Sequence, residues 1–100
     1  MNSITIEMQA IPARRHELLQ TLDDLGSLMR RERGFIDARI NMDAGDRNRL
    51  TLFEEWETQE ALAAYTESDL FHILRGALKL LTSSSEISFH PGEQHRRTTQ

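Results

Sequence analysis

The chain has 100 residues, enough for one domain with one modest core and too few for two. With 38% hydrophobic and 28% charged residues, 5 Gly and 2 Pro, its composition is that of a globular protein and excludes disorder of the whole chain. A net charge of −4 argues against a general nucleic-acid binder, and the absence of cysteine excludes disulfides, zinc–thiolate sites and a cysteine nucleophile.

The N-terminus, MNSITIEMQA, lacks the basic and apolar blocks of a secretory signal. No apolar run approaches the roughly 18 residues of a membrane span, so a cytoplasmic location is the default expectation. Residues 3–9 alternate, with Ile4, Ile6 and Met8 on one side and Thr5, Glu7 and Gln9 on the other, which predicts a half-buried strand. Pro12 can then open a helix without losing a needed N–H. From Ala13 to about Arg31, Leu18, Leu22, Leu25 and Met29 form one apolar stripe, and Gly34 ends the segment.

Residues 35–42 alternate again. Ile36, Ala38, Ile40 and Met42 share one face; Phe35, Asp37, Arg39 and Asn41 share the other. The turn formers of Asp43–Asn48 predict a hairpin into a third strand over 49–56. There Leu50, Leu52, Glu54 and Trp56 lie on one side, and that side is the core side. Thr58 can cap a short helix to about Glu67, and Ser68 a second through about Leu81, striped by Leu70, Leu74, Ala77, Leu78 and Leu81. His72, Arg75 and Lys79 fall on its opposite face. After Thr82–Ser85, Ile87 and Phe89 alternate with Glu86, Ser88 and His90 as a fourth strand. Residues 1–90 are thus expected to form the domain, and 91–100 a frayed, flexible tail.

The order βαββαβ is the ferredoxin-like, split βαβ arrangement of the α+β class: a four-stranded antiparallel sheet with helices on one face. The other face is expected to be bare, carrying Thr5, Glu7, Asp37, Arg39, Glu55, Ser88 and His90, with Phe35 and Phe53 among them. Such a face suits either solvent or a second copy of the chain.

The segment Phe53-Glu-Glu-Trp-Glu-Thr-Gln-Glu-Ala-Leu62, followed by Ser68-Asp-Leu-Phe71, resembles the antibiotic biosynthesis monooxygenase (ABM) family. Glu54 and Trp56 match its Glu-x-Trp strand end; Pro12 and Gly34-Phe35 also fit. The resemblance spans roughly residues 3–90. It implies a homodimer whose sheets face each other as a dimeric α/β barrel, with a pocket between sheet and helices in each subunit. Its members include cofactor-free quinol monooxygenases and haem-degrading enzymes.

Glu54 and Trp56, two apart on a strand, point to the same side. A carboxylate buried beside an indole gains a raised pKa and becomes a usable base. Cofactor-free oxygenation needs such a base, because a phenolate reduces dioxygen far more readily than a phenol. The plainer alternative makes Trp56 ordinary core and pairs Glu54 with an arginine near the strand end. Tyr65 is expected either to donate a hydrogen bond to a quinone-like oxygen or to sit at the pocket mouth with its hydroxyl in water. Arg39 and Arg75 are candidates for holding an anionic group, and Leu52 and Phe71 for lining the substrate pocket.

Two departures from the family patterns matter. Leu52 stands where quinol-oxidising members place an asparagine. Arg75 stands where the haem-degrading branch has its axial histidine, and a guanidinium cannot ligate iron. His16, His90 and His95 lack partners at metal-ligand spacing, so no metal and no cofactor are expected. Two functional readings result. One is a cofactor-free monooxygenase of small aromatic or quinol-like molecules, with Glu54, Trp56 and Tyr65 as its catalytic set. The other is a non-catalytic dimeric module of the same fold that binds a ligand or a protein.

Overall fold

The computed structural model describes residues 2–92. Most of the expected C-terminal tail, His95 included, lies outside the described residues. Four strands and three helices follow in the order β1 (Asn2–Ala10), α1 (Arg15–Met29), β2 (Phe35–Met42), β3 (Arg49–Trp56), α2 (Gln59–Thr66), α3 (Asp69–Leu81) and β4 (Thr82–His90). The sheet runs β2-β3-β1-β4 with every neighbouring pair antiparallel, which is the expected ferredoxin-like order.

The period-2 pattern of β1 and β3 sets the core. Ile4 pairs with Glu54, Ile6 with Leu52 and Met8 with Leu50, and all six side chains are buried on the helix side. Burying these rows is the main source of stability, at about 25 cal/mol per Å² of apolar surface. Against them pack Leu18, Leu22, Leu25 and Met29 of α1 and Phe71, Leu74, Leu78 and Leu81 of α3. Pro12–Arg14 forms a single 3₁₀ turn before α1, so the regular helix starts two residues later than the stripe predicts.

Both predicted caps are present. Thr58 Oγ1 accepts from the Ala61 N–H at 3.0 Å, and Ser68 Oγ from the Phe71 N–H at 3.2 Å. Each satisfies a donor that the first helical turn leaves free, worth about 1 kcal/mol. Gly34, at φ +83°, makes the turn from α1 into β2, and its carbonyl accepts from the Glu57 N–H at 2.7 Å. A Cβ at Gly34 would overlap that of Ala61, so the position needs glycine for both its torsion and its closeness to α2.

Strand β2 departs from the simple alternation. Phe35 pairs with Trp56 and Asp37 with Glu55, leaving Ile36 as the extra residue of a bulge. Phe35 is therefore turned to the helix side, where its ring meets Trp56 edge-on at 5.6 Å, and not to the bare face as its parity predicts. Ile36, expected in the core, is half exposed. The rest of the bare face is as expected: Arg39 lies 4.8 Å over the Phe53 ring and 3.5 Å from Asp37, and Arg49 lies 3.5 Å from Glu7. Strand β4 begins at Thr82, directly after α3, where the serine run had suggested a break. No helix among the described residues is long and apolar enough to cross a membrane.

Candidate functional site

Glu54 occupies a core position in the middle of the sheet. Its cross-strand neighbours are Ile4 and Ala38, and its relative exposure is 0%. A carboxylate surrounded by apolar rows loses hydration that little here replaces. Trp56 follows on the same face, as strand parity requires, and is also buried. Capped by Thr58, α2 then carries Tyr65 over both: its ring stacks on Trp56 at 4.4 Å with 26° between planes. The Tyr65 hydroxyl donates to Glu54 Oε2 at 3.2 Å. Phe71, buried at the start of α3, meets Tyr65 edge-on at 5.2 Å. Phe35, Trp56, Tyr65 and Phe71 thus form a continuous aromatic row around one carboxylate.

Burial pushes the Glu54 carboxyl from an ordinary value of 4.5 up to about 7; the hydrogen bond from Tyr65 and the nearby indole of Trp56 oppose this rise without cancelling it. Tyr65 is driven well above the ordinary phenol range, first by burial, then by the charge of Glu54, the hydrogen bond to it, and the charge of Glu32. It therefore stays protonated and serves as a donor. Among the described residues, Glu54 Oε1 and Trp56 Nε1 are both buried without a hydrogen-bond partner. The indole favours the carboxylate electrostatically while falling short of a hydrogen bond to it. Two unsatisfied buried polar atoms on neighbouring side chains are costly, about 1–3 kcal/mol each, and an oxygen that is both donor and acceptor is the group that would satisfy such a pair.

Two cavities adjoin this region. A cleft of about 450 Å³ has Ala61, Ala64 and Tyr65 on its α2 side and Glu32, Arg33 and Glu57 among its rim residues. A second, of about 200 Å³, lies between α1 and the sheet, with Leu22, Met29, Ala38, Ile40 and Leu52 in its walls. Glu54 and Trp56 line neither; Tyr65, bonded to Glu54, lines the larger, and Ala38, across the ladder from Glu54, lines the smaller.

Of the residues singled out from the sequence, Glu54, Trp56, Tyr65 and Phe71 are brought together. Leu52 shares their face but lines the smaller cavity. Arg39 is on the opposite side of the sheet, and Arg75 is on the exposed side of α3 near Lys79 and Ile87. Neither arginine meets Glu54. The partner of Glu54 is Tyr65, and the alternative of an arginine partner is not realised. Sequence reasoning missed Phe35, hidden by the bulge, and Glu32, whose charge reaches the phenol only through the tertiary fold. His72 Nδ1 lies 2.8 Å from the Ser68 carbonyl oxygen on the exposed face of α3. Among the described residues there is no group of three or more His, Cys, Asp or Glu side chains able to hold a metal ion.

Fold and site define a ferredoxin-like α+β domain with a neutral-range carboxylate enclosed by aromatic rings. The chain belongs to the antibiotic biosynthesis monooxygenase family, whose sequence profile matches residues 1–75. Its fold is similar to a crystal structure of an antibiotic biosynthesis monooxygenase, at 16% identity and TM-score 0.78, covering 92% of this chain and 98% of that one. A conserved protein from Methanosarcina mazei Go1 superposes with TM-score 0.79 at 23% identity over 91% and 93% of the two chains. A provisionally named antibiotic biosynthesis monooxygenase from Deinococcus radiodurans gives TM-score 0.83 at 18% identity over 92% of each. At these identities the likeness is one of fold. No curated protein matches the sequence.

Proposed function

We propose that the protein is a cofactor-free monooxygenase that oxidises a small phenol- or quinol-like molecule with dioxygen. The observation that carries this reading is the buried Glu54, tuned to about 7, whose free Oε1 neighbours the free Nε1 of Trp56. A carboxylate poised near neutrality is the base such chemistry requires.

In this reading a substrate hydroxyl bridges the two unsatisfied atoms, donating to Oε1 and accepting from the indole N–H. Glu54 takes the hydroxyl proton, and the phenolate passes one electron to dioxygen. Superoxide and the substrate radical join through a carbon–oxygen bond. Glu54 returns its proton to the resulting peroxide, and loss of water leaves a new carbonyl. Hydroquinone and dioxygen give hydroxyquinone and water, with no external reductant. Tyr65 holds the carboxylate through Oε2, and Trp56 and Phe71 keep water out of the reacting volume. Arg39 and Arg75 have no part in it. Pairing of two copies through their bare sheet faces, with crossed Arg39, Asp37, Glu7 and Arg49 charges, completes the proposed homodimer.

One observation favours the non-catalytic binding module instead: neither cavity reaches Glu54 or Trp56 directly. Oxygen uptake by metal-free protein with a panel of hydroquinones separates the two readings. Uptake above the autoxidation blank that is lost in Trp56→Phe, which keeps the stacking but removes the N–H, supports the monooxygenase. Uptake at the blank across the panel supports the module.

A further inference from the structure

The larger cleft has a charge pattern that the oxygenation chemistry does not explain. Among the described residues, its rim carries Glu32, Glu57 and Glu60 against the single cation Arg33. None of the three carboxylates is ion-paired among the described residues. Its α2 wall is apolar, made by Ala61, Ala64 and the ring of Tyr65. Behind that ring lie two polar side chains that are more than nine-tenths buried and each hold an unpartnered atom, Glu54 Oε1 and Trp56 Nε1. An acidic rim, an apolar wall and an unsatisfied hydrogen-bonding pair in sequence match one kind of molecule: a ring with a hydroxyl at one end and a positive charge at the other.

We propose that this cleft is the entrance to the Glu54 site and that its rim selects a small phenol bearing a protonated amine over one bearing a carboxylate; the assignment rests on the Glu54–Trp56 pair being where the ring hydroxyl is received. The ring lies along Ala61 and Ala64 with its ammonium among the rim carboxylates. Tyr65 is the wall between cleft and base, and its side chain shifts to admit the hydroxyl. A net rim charge of −2 at a mean separation of about 10 Å in water favours a cation over an anion of the same shape by roughly tenfold at low ionic strength, and less as salt screens the rim.

Three phenols of similar shape and different charge test this: tyramine, 4-ethylphenol and 3-(4-hydroxyphenyl)propionate. Binding is read from the indole N–H resonance of Trp56, the sole tryptophan of the chain. The expected order is tyramine, then ethylphenol, then the propionate, with about a tenfold span at low salt that narrows as salt is added. Glu57→Gln with Glu60→Gln, both exposed positions, shrinks the span to about threefold or less, while the equal change in net charge from Asp24→Asn with Glu17→Gln on α1 leaves it nearly intact. Equal affinities, a preference for the propionate, or no shift of the indole resonance with any of the three overturns the proposal. If oxygen uptake stays at the blank while the binding order holds, the oxygenase reading falls and the cleft assignment stands. Uptake without any charge order removes the cleft assignment alone.

Discussion

The Tyr65 hydroxyl donates a 3.2 Å hydrogen bond to Glu54 Oε2, tying α2 to the central strand β3 through a mostly apolar core. This contact holds a carboxylate where solvation would not leave one, and it orients the second oxygen away from Tyr65. Both the energetics and the proposed chemistry of the protein follow from it.

The first consequence is a dependence of stability on pH. The folded pKa of Glu54, about 7, lies above its ordinary value of 4.5, so between these values the folded state binds more protons than the unfolded one. Its contribution is fully present below about pH 4.5 and is lost as pH rises to about 7, a change of about 3 kcal/mol. Urea denaturation across this window should show stability falling with rising pH. Glu54→Gln, neutral at every pH, should flatten that slope; an unchanged slope would place its origin elsewhere.

Tyr65→Phe keeps the ring stacked on Trp56 and removes the donor. Because that hydrogen bond holds the Glu54 pKa down, the variant's pKa should move above that of the parent. Loss of stability should then extend to higher pH. At neutral pH the variant should be less stable by about 1–2 kcal/mol, the cost of leaving Oε2 unsatisfied as well. Chemical denaturation at several pH values measures both effects. A variant as stable as the parent, with the same pH midpoint, would mean that the bond does not hold the carboxylate.

Gly34→Ala should be far more damaging than its size suggests. It places a Cβ at φ +83° and against Ala61, so a loss of more than about 2 kcal/mol is expected. Adding Ala61→Gly relieves the overlap but not the torsion, and should recover only part of the loss. Full recovery would show that strain at Gly34 is unimportant.

Much of this architecture is legible in the sequence. The alternation of residues 3–9 and 49–56 predicts the two central strands, and the i, i+2 spacing correctly puts Glu54 and Trp56 on one face. Thr58 and Ser68 announce their helices because caps are local chemistry. What parity cannot reveal is a register slip: one bulge residue at Ile36 turns Phe35 into the core and Ile36 out of it. The partner of Glu54 was equally hidden. Eleven residues separate it from Tyr65, and only the packing of α2 on β3 decides whether that hydroxyl meets water or the carboxylate. Arg39 and Arg75 look suitable as charges, but the sheet stands between Arg39 and Glu54, and Arg75 lies on the exposed face of α3.

The central claim is that Glu54 is a base working near neutrality. Oxygen uptake with an active hydroquinone, followed from about pH 5 to pH 9 for the parent and for Glu54→Gln, tests it most directly. The enzyme-dependent rate should rise with an apparent pKa of about 7 in the parent, the value set by burial of Glu54, and fall at least about a hundredfold in the variant. A variant with the parent's rate and pH profile would contradict the account.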